Sequence, residues 1–94
     1  MNDTSEQPDA DSPLQFPCRF PIKIMGRQAE DFEAHVLGLI SNYTGGEGAL
    51  EISRRPSAKG NFVAVTVTFT ATSRAQLDQI YRQLSGSDLV LMVL

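Results

Sequence analysis

The chain has 94 residues, 41 % of them hydrophobic, with no Trp, one Cys and a formal net charge of −3. A chain this short buries only about 60–65 % of its unfolded surface, so it can build one domain around one modest core. One Cys and one His exclude an intrachain disulfide and leave few parts for a metal cluster or a nucleophile–base pair, so no cofactor is expected and a reducing, cytoplasmic setting is.

The charge is unevenly placed. Residues 1–15 hold Asp3, Glu6, Asp9 and Asp11 with no Lys or Arg; the remainder keeps all eight basic residues and seven of the eleven acids. This polar opening, with Pro8 and Pro13, is expected to form a disordered acidic tail ahead of one domain over residues 16–94. It has neither the basic start nor the apolar core of a secretory signal. No stretch approaches the ~18 apolar residues of a membrane span, so no membrane partner is expected.

The first predicted element is a strand over Phe16–Gly26, "FPCRFPIKIMG". Cys18, Phe20, Ile22 and Ile24 share one face, and Arg19, Pro21 and Lys23 the other. Pro21 cannot donate a ladder hydrogen bond, so pairing is expected to begin after it or to bulge there. Cys18 reads as a small apolar core residue.

From Arg27 to Tyr43 the period changes. Phe32, Val36, Leu39, Ile40 and Tyr43 recur at three- and four-residue steps, the mark of an amphipathic helix. Glu30, Asp31 and Glu33 suit its positive amino end. His35 flanks the stripe and is expected to be solvated. "TGGEG" then breaks the chain, and Ala49–Arg55 reads as a short strand with Leu50 and Ile52 on one side.

Pro56, Ser57 and Gly60 mark a turn. After it, Val63, Val65, Val67, Phe69 and Ala71 alternate with Thr66, Thr68, Thr70 and Thr72, the clearest strand in the chain. "SRAQLDQIYRQL" opens with a capping-box pattern, Ser73 with Gln76, and carries the stripe Leu77, Ile80, Tyr81 and Leu84, with Gly86 placed to end the helix. A final strand, "LVLMVL", is apolar at every position, so one alternating set, Val90 and Met92 or Leu89, Leu91 and Val93, must face away from the helices. Such a strand at a sheet edge would offer a surface for a homodimer.

The order strand, helix, strand, strand, helix, strand points to an α+β, ferredoxin-like βαββαβ domain with a four-stranded, mostly antiparallel sheet and both helices on one face. The first and third strands belong in the centre.

Two stretches carry a family resemblance. "SAKGNFVAVTVTFTATSRAQLDQIYRQLSGSDLVLMVL" is similar to the second half of the YbeD-like family of small bacterial proteins of uncharacterised function, and "FPCRFPIKIMG" resembles its first strand. Pro21 and Ala58 depart from the family's pattern. The resemblance implies an ACT-like, ferredoxin-like domain and a weak association with lipoate metabolism. It supplies no activity and no catalytic residues. By analogy with ACT domains, Gly26 would stand for the glycine turn near their ligand site.

Enzyme chemistry and nucleic-acid binding both find little support. Lys59-Gly60 begins the third-strand pattern of an RNA-binding RRM, but Asn61 and Val63 occupy the aromatic positions and Phe62 stands alone. "MGRQAEDF" is too short and too poor in Gly for the phosphate cradle of an acylphosphatase, and Asn61 beside Gly60 reads as a turn residue. No P-loop or nucleophile–base motif is present. A small, non-catalytic regulatory or binding module is therefore expected.

The strand directions give that expectation a location. The turn after the first strand and the hairpin after the second fall at one end, which gathers Gly26, Arg27, Arg54, Arg55, Lys59, Gly60 and Asn61. Arg forks at such an end suit carboxylate or phosphate, so a small anionic metabolite is the expected ligand. The alternative is a protein-interaction adaptor that uses the open sheet face or the C-terminal strand.

Overall fold

The computed structural model describes residues 14–94; of the tail expected over residues 1–15, residues 1–13 lie outside them. Leu14 packs against the core. The elements are β1 (Cys18–Arg27), α1 (Phe32–Ser41), a single 3-10 turn (Glu47–Ala49), β2 (Glu51–Pro56), β3 (Phe62–Ala71), α2 (Arg74–Ser85) and β4 (Val90–Val93). The sheet order is β2-β3-β1-β4 with every neighbouring pair antiparallel. This is the ferredoxin-like βαββαβ arrangement, with β1 and β3 in the centre.

Alternation along the two central strands sends Ile22 and Ile24 of β1, and Val63, Val65, Val67, Phe69 and Ala71 of β3, to the helix side. There they meet Phe32, Val36, Leu37 and Ile40 of α1 and Leu77, Ile80 and Leu84 of α2. Each large side chain buried in this layer contributes about 1.5–3 kcal/mol of transfer free energy. No polar or charged side chain among the described residues is buried.

Four local features differ from the sequence-based expectation, each for a physical reason. β1 extends to Arg27 and α1 starts only at Phe32. Arg27 pairs with Phe62, and the Gln28 N–H donates to the Asn61 carbonyl at 2.9 Å, so sheet pairing outcompetes the first helical turn. Pairing with β3 is continuous through Pro21, opposite Thr68. The Lys23 N–H and C=O both bond Leu94 of the other neighbour. By the two-residue repeat of the ladder, the Pro21 nitrogen points to that same side, beyond the last β1–β4 pair, and no bond to β3 is lost.

The third difference concerns β4. Met92 pairs with Met25, but Val90 pairs with Gly26, so Leu91 is an extra residue in a β-bulge. Strict alternation fails there: Val90 and Val93 are both half-buried against the core, while Leu91 and Met92 are 54 % and 51 % exposed. Lastly, His35 is half-buried and not merely solvated, with its Nε2 2.8 Å from Ser87 Oγ in the α2–β4 connection.

Candidate functional site

The open face of the sheet can be laid out as transverse rows from the strand register. Nearest the β2–β3 hairpin, Phe62 lies opposite Arg27. The next row reads Arg55, Ala64, Met25, Met92 across β2, β3, β1 and β4, and the next Ser53, Thr66, Lys23. Leu94 continues that row through its backbone bonds to Lys23.

Ala64 is the smallest side chain in its row, and the face dips around it. One hollow of about 200 Å³ is lined by Met25, Arg55, Pro56, Ser57, Phe62, Val63 and Ala64. A second, of about 360 Å³, is lined by Lys23, Ser53, Arg54, Arg55, Ala64 and Thr66. Arg55 and Ala64 belong to both. The result is an apolar floor of Ala64, Met25 and Phe62 with Lys23 and Arg55 at its rim, and Arg27 beyond it, over the Phe62 ring.

The electrostatics of this half-face are one-sided. The acid on the open face is Glu51, and it is engaged by Arg19, whose Nη2 donates to Oε1 at 2.7 Å. Lys23, Arg27 and Arg55 have no carboxylate partner among the described residues. The Arg27 guanidinium instead sits over the Phe62 ring, 5.6 Å from its centroid, a cation–π contact that covers one aromatic face.

The predicted site residues are therefore divided. Arg55 and Arg27 share the open face. Arg54 alternates to the helix side, where its Nε and Nη2 donate to Glu33 Oε1 and Oε2 at 2.5 and 2.6 Å. The Arg54 guanidinium holds the Glu33 carboxyl below the usual carboxylate range. Lys59 and Gly60 lie in the hairpin turn, where Gly60 adopts a φ of +75° and donates its N–H to the Ser57 carbonyl at 3.0 Å. Asn61 accepts from Gln28 through its backbone carbonyl.

Gly26 is buried, and its role in the structure is close packing. A Cβ there would fall into the edge of the Phe32 ring and within 2.7 Å of the Leu89 carbonyl oxygen. Next to it is a cleft of about 170 Å³ lined by Arg27, Ala29, Phe32, Asp88, Leu89 and Leu91. Asp88 brings a carboxyl group into this lining, which opposes an anionic ligand.

Met25, Phe62 and Ala64 were absent from the predicted site. Their alternation was readable, since Phe62 and Ala64 share the parity of the Thr residues and Met25 that of Lys23. Their alignment into one row with Arg55 was not, because it depends on cross-strand register. Among the described residues no three His, Cys, Asp or Glu side chains come together as a metal site, and no helix is long and apolar enough to cross a membrane.

Comparison with known proteins places this geometry in a family. The profile described as "Protein of unknown function (DUF493)" matches residues 11–94. The chain belongs to the DUF493 family. Relatives of this family include a UPF0250 protein of Paraburkholderia phymatum, 42 % identical over 93 % of this chain and 98 % of its own length. Another, from Chromobacterium violaceum, is 44 % identical over 86 % of this chain and 91 % of its own. The YbeD-like resemblance and the family assignment agree.

Solved structures support the fold of this DUF493 chain. Protein HP0495 of Helicobacter pylori superposes with a TM-score of 0.68 at 16 % identity, over 95 % of this chain and 94 % of that one. The ACT domain from GTP pyrophosphokinase of Chlorobium tepidum gives 0.61 at 16 % identity, over 83 % and 96 %. At that identity the likeness is one of fold: an ACT-like, ferredoxin-like domain.

Proposed function

We propose that this chain is a small, non-catalytic regulatory binding module of the cytoplasm that recognises an anionic group on the open face of its sheet. The observation that carries the reading is the half-face around Ala64, where Lys23 and Arg55 line hollows that hold no carboxylate, over an apolar floor, with Arg27 beside them on the Phe62 ring. The three cations are exposed and free to meet an incoming anion, and Arg forks favour carboxylate and phosphate oxygens. The open face supports this role better than the loop end first expected. There Arg54 is already engaged by Glu33, and the cleft beside Gly26 includes Asp88.

Isotope-labelled protein titrated with inorganic phosphate, succinate and polyglutamate tests this. The amides of Lys23, Met25, Arg55, Ala64 and Thr66 should move with at least one of these anions, less so at high salt. An anion at ~100-fold its dissociation constant should also add ~2.7 kcal/mol of stability. If none of the three moves the open face, the reading fails.

A further inference from the structure

Resting on the anion-binding reading of the open face, we infer that its occupant is an extended acidic segment of a partner protein, with one apolar side chain seated in the hollow over Ala64. The spacing of the cations argues for a chain over a small molecule. Lys23 and Arg27 are four residues apart on β1, about 13 Å, and Arg55 lies two strands away, about 10 Å. No single small anion spans that triangle, whereas a few extended residues do. The hollow over Met25, Phe62 and Ala64 is also open to solvent, unlike the enclosing pockets that bury most of a small ligand.

The floor between the cations selects against other occupants. Its apolar residues, Met25, Ala64 and Phe62, offer room for one aliphatic or aromatic side chain. A single-stranded nucleic acid gains much of its affinity by stacking bases on aromatic faces. Phe62 is the one aromatic ring on this half-face among the described residues, and the Arg27 guanidinium occupies one side of it. A second copy of the chain, stacked face to face, would set these cations against their own counterparts. An acidic segment complements the charge and, through its anchor, the hollow.

The experiment titrates the full chain with a short capped peptide of glutamates around one central leucine. Control peptides replace the leucine by alanine, and polyglutamate, succinate and a single-stranded RNA oligonucleotide are run alongside. The expected result is saturable movement of the Met25, Ala64 and Thr66 amides, about tenfold weaker for the alanine peptide, from the loss of apolar burial. Arg55→Ser and Ala64→Gln, the second filling the hollow, should each weaken the leucine peptide by about tenfold or more. Arg55 is exposed on an edge strand, so its variant keeps the fold even if Ala64→Gln does not. Equal binding of the leucine and alanine peptides, or tighter binding of RNA, overturns the inference while leaving anion recognition intact. No response to any anion removes both.

Discussion

Arg54 of β2 and Glu33 in the first turn of α1 meet fork to fork, with Nε–Oε1 at 2.5 Å and Nη2–Oε2 at 2.6 Å. β2 is exposed along its whole length, so this pair is a polar tie between an otherwise thinly covered edge strand and the helix layer. Glu33 also sits at the positive end of α1. Because its carboxyl is held below the ordinary value, it stabilises the fold above the unfolded-state value near 4.5. That contribution is lost as pH falls through the lower folded value. Glu33→Gln should thus lower the melting temperature slightly at neutral pH, and the difference from the parent should vanish in acid. Melting curves across the acid range check the sign. The pair is largely solvent-exposed, so the effect is small and shrinks with salt.

Gly26→Ala should be among the most damaging conservative changes in the chain. The added methyl meets the Phe32 ring and, at 2.7 Å, the Leu89 carbonyl oxygen. Overpacking of this kind costs about 1–3 kcal/mol. Trimming the ring with Phe32→Leu should not rescue it, because the backbone carbonyl remains in the way. Urea unfolding of the single and double variants measures both statements.

Gln76 should matter more than the N-cap itself. Ser73 Oγ accepts from the Gln76 N–H at 3.1 Å, an N-cap bond of the predicted kind. The Gln76 side chain does not return it to the Ser73 N–H as a capping box would: Oε1 accepts from the Thr72 N–H at 2.7 Å, and Nε2 donates to the Tyr43 carbonyl at 2.6 Å. It thereby joins the start of α2 to the end of α1. Ser73→Ala should cost about 1 kcal/mol. Gln76→Ala should cost about 1–3 kcal/mol, because it removes the bond to the half-buried Tyr43 carbonyl as well as the one to the exposed Thr72 N–H. Denaturant midpoints compare the two.

The bulge in β4 predicts opposite tolerance in neighbouring residues. Met92→Lys and Leu91→Ser lie on exposed positions and should change stability by less than about 0.5 kcal/mol. Val93→Ser, on the core side opposite Ile24, should cost about 1–2 kcal/mol. A strand with strict alternation would instead pair Leu91 with Val93 in sensitivity. Thermal unfolding of the three variants separates the patterns.

Much of this molecule is determined by its sequence alone. The change of period from two to 3.6 and back sets the element order. The alternation of Val63 to Ala71 settles which residues enter the core, because burying one face of a strand leaves only one parity possible. The Ser73 cap is equally local: donor and acceptor are three residues apart. What the tertiary structure decided involves residues distant in sequence. Arg54 and Arg55 are adjacent, yet one is engaged by Glu33 and the other lies beside Ala64, a separation that needs both strand parity and the position of α1. Pairing with Phe62 drew Arg27 into β1, and the bulge opposite Met25 and Gly26 turned Leu91 and Met92 outward together. The row of Arg55, Ala64, Met25 and Met92 exists only through register across four strands, and register is fixed by the packing of the whole sheet against its helices.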